Sequence, residues 1–298
     1  MATGAIRVSA IMPSYNRDRY VAEALDSALS QGFEGLEVVV VDDGSTDGTR
    51  AVLERYRDRV RIELQANAGQ SAAVNRAVEL ARGEYVALID NDDAWLPGKL
   101  ARQIPLLDAD PGAAILYAAF EVMDGEGKAM ADPSPSRRTP SGEVLGDLCD
   151  ENFLRTPTVI FRRALFLEAG GYDRSLRYTN DWDMWLRLAT GRRVLRDPTV
   201  SARYRLHGSQ LVMNRLPLAE ERVKVLERHL PRIERDAPGT AGRARRALAT
   251  RCLKLARLRL REKRKEEAAV LAARALGLAP SLRPAWWRIR LAVALRGR

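Results

Sequence analysis

The stretch Tyr85–Lys99, YVALIDNDDAWLPGK, constrains this chain more than any other. Five mostly apolar residues, Tyr85 to Ile89, run straight into Asp90, Asn91, Asp92 and Asp93. An apolar run of that length, rich in strand formers and closed by polar residues, predicts a buried strand. Three carboxylates at its carboxyl end are a poor choice for stability, because like charges repel and ionised Asp is rarely buried unpaired. Something cationic should compensate. A divalent metal suits the task, since hard cations such as magnesium or manganese take carboxylate oxygens together with a substrate phosphate. The alternative is a solvated Asp-rich turn before a helix that Asp93 caps.

The pattern of apolar runs and polar ends repeats upstream. IRVSAIM (6–12) predicts a strand leading into PSYNR, and Leu36–Val41, LEVVVV, predicts another leading into DDGSTDGT. Helical spacing lies between them at Asp18–Ser30, with Val21, Leu25, Ala28 and Leu29 on one face. Ser45 or Thr46 is placed to cap a helix running to about Tyr56. A short strand near Val60–Leu64 follows, then a helix from Asn67-Ala68-Gly69 to about Ala81, and one over Leu96–Leu107 with Pro97 in its first turn. Strands alternating with helices of this length predict βαβ units and a mainly parallel sheet covered on both faces. Ligands bind at the carboxyl ends of such strands. Pro13–Asn16, Asp42–Ser45 and Asp90–Asp93 all fall there.

The second half is less regular. Ala114–Val122 reads as a strand, 124–142 as a loop, Pro157–Phe161 as a short strand, and Gly170-Gly171-Tyr172-Asp173 as a turn. Asp181–Ala189, DWDMWLRLA, reads as an amphipathic helix, and Val194–Tyr204 as an extended segment ending in RYRLHGSQ. From about Leu218 the composition changes to Ala, Leu, Arg and Glu at helical spacing, with breaks at Pro238-Gly239 and Pro280, which predicts about four helices. EAAVLAARALGLAPSLRPAWW resembles one tetratricopeptide-type hairpin, but a stable array needs about three repeats. The expected organisation is residues 1–215 as one α/β unit and 216–298 as a basic helical region.

Charge follows the same division. The net charge is +10, from 49 Lys+Arg and 39 Asp+Glu. Residues 220–298 hold 22 basic and 8 acidic groups, or +14, leaving 27 basic and 31 acidic, or −4, for residues 1–219. A basic appendage on an acidic body suggests two jobs, and anionic lipid, a polyanionic substrate and nucleic acid are the partner classes. Nucleic acid is disfavoured, because the tail lacks binding motifs and interleaved aromatics other than Trp286-Trp287. Those two Trp with flanking Arg suit a membrane interface; a solvated bundle or a homodimer element is the other reading. No segment approaches the ~18 consecutive apolar residues of a membrane span. MATGAIRVSAIM has no basic segment before a long apolar core, so no secretion signal is expected. The two cysteines, Cys149 and Cys252, fit a reducing compartment. A cytoplasmic protein, peripheral on the inner face of the cell membrane at most, is the expected location.

IMPSYNR, VVVDDGSTDGT, NAGQSAAVN, YVALIDNDDAW and TNDWDMWLRL, in that order, resemble family 2 glycosyltransferases of the Rossmann-like GT-A fold, over roughly residues 6–210. The resemblance implies a metal-dependent, inverting enzyme that moves one sugar from a nucleotide-diphospho-sugar, by default a UDP-sugar, to an acceptor hydroxyl. It places the nucleoside against Pro13, Ser14, Tyr15, Asn16, Asp42 and Asp43, with Asn67 on the nucleotide side. Val74 stands where the family often has Arg. Asp90-Asn91-Asp92 fits the DXD signature, with Asp92 on Mn2+ or Mg2+, Asp90 and Asn91 on the donor, and His207 completing the metal or diphosphate shell. Asp181 is the implied general base; Asn180 replaces the Glu that usually precedes it. Trp182 and Trp185 read as core and wall. No QxxRW motif occurs, which favours single transfers to a glycan, lipid-linked or small-molecule acceptor over polymer synthesis. A catalytically weak nucleotide-sugar-binding protein and a nucleotidyltransferase acting on sugar phosphates are the alternatives; PSYNRDRY is not the Gly-rich basic loop that the latter usually needs.

Overall fold

The computed structural model describes residues 5–133, 139–207, 215–284, 286–287 and 289. The chain divides into two compact units, Met1–Val144 with Phe153–Gly208, and Leu145–Asn152 with Ser209–Arg298.

The first unit begins with alternating elements: β1 (Val8–Ser14), α1 (Val21–Leu29), β2 (Leu36–Asp42), α2 (Thr49–Glu54), β3 (Arg61–Leu64), α3 (Gln70–Leu80) and β4 (Tyr85–Leu88). β3-β2-β1-β4 are hydrogen-bonded in that order and all parallel. The register pairs Ser14 with Asp42 and Ile11 with Leu88, so the polar ends of β1, β2 and β4 share one edge. Continuous apolar strands are expected where both faces are covered. One face, from Val8, Ala10, Met12, Val38 and Val40, packs on Val21, Leu25 and Ala28 of α1. α3 packs against β1 and β2 with Ala73, Val74, Ala77 and Val78 buried. Burial of each large apolar side chain contributes roughly 1.5–3 kcal/mol.

Beyond β4 the sheet turns mixed. β5 (Ala94–Trp95), α4 (Lys99–Ala109), β6 (Ala113–Met123) and β7 (Ala129–Met130) are followed, after the segment belonging to the other unit, by β8 (Ile160–Arg162), α6 (Arg163–Glu168), α7 (Asn180–Ala189) and β9 (Arg193–Arg205). β8 runs antiparallel to both β4 and β6, β6 and β9 are parallel, and β5 is antiparallel to β9. The α/β architecture is the expected one, and its mainly parallel character belongs to the first half. Period-2 patterning tells which residues face inward but not which way a neighbour runs.

The segment after the acidic cluster differs from the expected helix. Residues 94–95 form β5, and α4 begins only at Lys99, after Gly98 at φ +74. Tertiary bonds outweigh helical propensity here: buried Trp95 donates its indole N–H to the Pro157 carbonyl at 2.9 Å, and β9 pairs with it. Asp93 therefore caps no helix. Likewise α2 starts at Thr49 after Gly48, so neither Ser45 nor Thr46 caps it.

The second unit comprises α5 (Leu145–Asp150), α8 (Arg215–Asp236), α9 (Pro238–Arg261) and α10 (Lys265–Leu278). Among the described residues three of these helices are long, and breaks fall at Ala237 and after Leu278, beside the expected prolines. A single division near residue 215 does not include α5. That helix comes from the middle of the chain, and Arg243 on α9 holds it by ion pairs to Asp147 and Asp150.

One lysine at the base of the sheet is fully buried. Lys99 donates to Gln103 Oε1 at 2.7 Å and to the Thr158 carbonyl at 3.1 Å, and lies 5.5 Å from the Trp95 ring centroid. Burial drives its ammonium down from 10.5 to about 7, with Arg102 adding to the shift and Asp197 opposing it. The unfolded chain keeps that proton to about pH 10. Between those values the unfolded state binds more protons, so this group makes stability rise with pH, and below pH 7 its contribution is flat. Lys99→Met is expected to abolish the rise. The difference in Tm between wild type and variant, followed by calorimetry from about pH 6 to 9.5, should move in favour of wild type above pH 7.

Candidate active site

Two loops at the carboxyl edge of the sheet are stitched together. Asn16, at φ +50, accepts from the Thr46 N–H at 2.8 Å, and its own N–H donates to Ser45 Oγ at 3.0 Å. The Arg17 N–H donates to Thr49 Oγ1 at 2.8 Å. Asp42, wholly buried, accepts from the Ser45 N–H, the Ser45 hydroxyl and Arg50 Nε. Asp43 accepts from Gln65 Nε2 at 2.7 Å and from the N–H groups of Ala68 and Gly69, each at 2.8 Å. These two carboxylates thus hold the loop shapes. Gly44, at φ +78, lets the Asn67 backbone approach so closely that a Cβ would sit 2.8 Å from its nitrogen. Tyr15 and Asn67 are exposed at the rim, with Pro13 half-buried beneath.

The acidic cluster lies on the same edge. The Ile89 N–H donates to the Ile11 carbonyl at 3.2 Å, and Asn91 Nδ2 donates to Ser14 Oγ at 3.2 Å. Burial, then the charges of Asp92 and Asp181, push the Asp90 carboxyl up to about 7, against Arg17. Asp92 behaves oppositely. Burial acts to raise it, but the hydrogen bond with His207 and the Arg17 guanidinium hold it below the usual carboxylate range. His207 Nε2 is 2.8 Å and Arg17 Nε 3.3 Å from Asp92 Oδ2. The His207 ring stacks on Tyr20 with centroids 5.7 Å apart.

Asp93 points away from this group. Its Oδ1 accepts from the Arg205 N–H at 2.8 Å, and its Oδ2 is buried with no hydrogen-bond partner among the described residues. Burial, with Asp92 and Asp90, raises its carboxyl well above the usual range, which favours the neutral acid.

Arg205 fixes the acidic turn from behind. Fully buried, it donates to the Asp92 carbonyl at 2.7 Å, the Asp124 carbonyl at 3.3 Å and Glu23 at 2.5 Å, and lies 4.7 Å from the Tyr20 ring centroid. Reading the sequence did not find Arg205, Arg17 or Tyr20. The available signals were an Arg directly after PSYN and an Arg two residues before His207.

On the opposite wall, Asp181 stands half-buried in the first turn of α7. Asn180 positions that turn: its amide donates to Ser71 Oγ on α3 at 2.8 Å, and its oxygen accepts the Asp181 N–H at 2.8 Å. Asn75 clasps the preceding turn, donating to the Tyr172 carbonyl at 2.9 Å and accepting its N–H at 2.7 Å. A Cβ on Gly171 would meet Asn75 Oδ1 at 2.8 Å. Trp182 and Trp185 are buried, the latter against Phe161 and Tyr172. Val74 is also buried, and Arg17 places a cation beside Asp92.

The donor set suits a hard divalent cation. Asp92 and His207 approach to 2.8 Å, and Asp90 beside them is raised first by burial and then by the charges of Asp92 and Asp181. Among the described residues no group of three or more His, Cys, Asp or Glu side chains is assembled to hold a metal. Magnesium-type sites commonly take one or two carboxylates and complete the shell with substrate phosphate and water, and Asp92 is one such carboxylate.

The parallel β3-β2-β1-β4 core, continued by antiparallel β8, is a sheet of the GT-A type. Residues 9–168 match the family described as Glycosyl transferase family 2, and the chain belongs to that family. A glycosyltransferase of Rickettsia typhi, itself uncharacterised, is 31% identical over 217 residues, which cover 72% of this chain and 68% of that protein. Two solved structures share the fold. Staphylococcus aureus TarS 1–349, in complex with UDP-GlcNAc, aligns with a TM-score of 0.72 at 21% identity, over 96% of this chain and 88% of that one. The mannosyltransferase PcManGT from Pyrobaculum calidifontis, in complex with GDP-Man and Mn2+, aligns with a TM-score of 0.61 at 23% identity, over 99% and 82%.

Arg205→Met should remove the clamp on the acidic turn while keeping much of the side-chain volume. We expect a loss of about 2–4 kcal/mol in denaturant-monitored stability, because buried carbonyls lose a charged donor.

Proposed function

We propose that the α/β unit, Met1–Val144 with Phe153–Gly208, transfers one sugar, with inversion, from a nucleotide-diphospho-sugar to an acceptor hydroxyl, and that UDP is the carrier. One observation carries the reading: the acidic turn after β4 lies on the same sheet edge as the loops after β1 and β2, tied to them by the bond from Asn91 Nδ2 to Ser14 Oγ and the ion pair of Arg17 with Asp92. Tyr15 and Asn67 at the rim would contact the nucleoside, on a loop pair shaped by Pro13, Asn16, Asp42 and Asp43. Asp90 and Asn91 would meet the donor at the strand end.

Asp92 and His207 would hold a Mn2+ or Mg2+ ion, which as a Lewis acid stabilises a departing nucleoside diphosphate. Arg17 would place a fixed positive charge on the same side. Asp181 would accept the proton of the acceptor hydroxyl as that oxygen attacks the anomeric carbon from the face opposite the nucleotide. Asn180, fastened to Ser71, would hold that carboxylate in place. The acceptor is a glycan, a lipid-linked sugar or a small molecule of cell-surface glycan synthesis. No helix among the described residues is long and apolar enough to cross a membrane, and a lipid-linked acceptor would be met peripherally from the cytoplasmic side.

Two measurements test this. In a thermal-shift panel of UDP, dTDP and GDP with and without manganese, UDP with manganese is expected to raise Tm most; no shift with any of them sinks the donor site. Asp181→Asn should lower kcat by about 10²–10⁴-fold while the UDP shift persists. Wild-type turnover in that variant would remove Asp181 as the base.

A further inference from the structure

The helical unit holds a cavity of about 290 Å3 between α8 and α9. Six of the nine residues lining it are Arg or Lys, and none is acidic. The floor is apolar, from Leu218, Ala219 and Leu258.

Elsewhere in this unit arginines meet carboxylates. Arg243 pairs with Asp147 and Asp150, Arg245 with Glu234, and Arg274 with Glu227, while Arg259 sits among Glu220, Glu262 and Glu267. At the cavity Lys254 and Arg257 depart from that habit, while Arg251 donates to the Asp150 carbonyl. Arg251, Lys254, Arg257 and Arg261 recur at three- and four-residue spacing along one face of α9, and Arg222 faces them from α8. Like charges at such spacing destabilise a helix. The local field is visible on Lys254: burial lowers its ammonium, and Arg251, Arg222 and Arg257 lower it further, with only Glu151 opposing. Among the described residues Lys254 and Arg257 make no ion pair, so both are open to a ligand. A solvated basic face would spread its charges over a convex surface. Here they ring a concavity near the small end of ligand clefts.

We propose that this cavity is a second ligand site, which binds a compact, multiply charged phosphate group such as a diphosphate. Arg guanidinium groups would grip its oxygens in pairs, and Lys254 would add a point charge. The apolar floor suits a group esterified to an aliphatic or sugar moiety. A soluble phosphorylated molecule and a lipid headgroup present the same chemistry.

The test uses the full chain without divalent metal, so that donor-site binding is suppressed. Inorganic pyrophosphate is titrated by calorimetry into wild type, into the double variant Lys254→Glu/Arg257→Glu, and into Arg59→Glu as an exposed charge-reversal control in the other unit. Both cavity positions are exposed, so the double variant should fold, and its circular dichroism and Tm verify this. Wild type and the control are expected to bind alike, and the double variant about tenfold or more weakly. Equal affinity in all three, or equal loss in the control and the double variant, overturns the site. Co-sedimentation with phosphatidylglycerol vesicles, against phosphatidylcholine vesicles, then separates the sources. Sedimentation that pyrophosphate displaces and the double variant lacks assigns a lipid headgroup; pyrophosphate binding without vesicle binding assigns a soluble phosphate.

Discussion

The structure depends on how negative charge is handled at one edge of the sheet. Asp90, Asp92 and Asp93 follow a fully buried strand, and Asp181 approaches from the opposite wall. In a low-dielectric setting such carboxylates cannot all stay ionised without counter-charge. The chain answers each differently. Asp92 is kept anionic by His207 and Arg17. Asp93 is driven toward the neutral acid and turned to the Arg205 backbone. Asp90 is left poised between the two states. Three adjacent acids thereby acquire three characters, and the surplus charge beside Asp90 and Asp92 is what a cation with a diphosphate would relieve.

The surrounding groups serve that arrangement. Arg205 ties the Asp92 carbonyl to α1 and to the loop after β6, so the acidic turn cannot relax outward. Asp42 and Asp43 satisfy backbone N–H groups and shape loops. Asn180, where the family usually carries Glu, bridges to Ser71 and fixes the first turn of α7. A neutral amide can do this without adding a further charge beside Asp181. The helical unit shows the converse: many of its arginines are answered by carboxylates, while one cavity gathers six cations and no acid in its lining.

Much of the first half was legible because both faces of its sheet are covered. Continuous apolar runs, punctuated by turn chemistry, carry the positions of β1, β2 and β4 and the edge where polar residues gather. The acidic motif, Asp181 and His207 were readable as candidates from residue type and order. The antiparallel insertion of β8, the pairing of residues 94–95 with β9, and the recruitment of α5 were not. Each rests on contacts between residues far apart in the chain, where local propensity is silent or misleading: Leu96 reads as a helix start, and its neighbour Trp95 is captured by a carbonyl 62 residues away.

The sequence by itself determined the α/β class and the family, and it singled out the candidate carboxylates. Those are matters of periodicity, residue type and order. Only the tertiary structure decided what each charged group does. Whether an Asp is an anchor, a neutral acid or an anion depends on its burial and on the few donors within 3 Å or so. Those donors, Arg17 after β1, and His207 and Arg205 at the end of β9, come from segments that the fold alone brings beside β4. The basic cavity has the same origin: an excess of Arg in the tail is a compositional fact, but its convergence on one concave face belongs to the packing of α8 on α9.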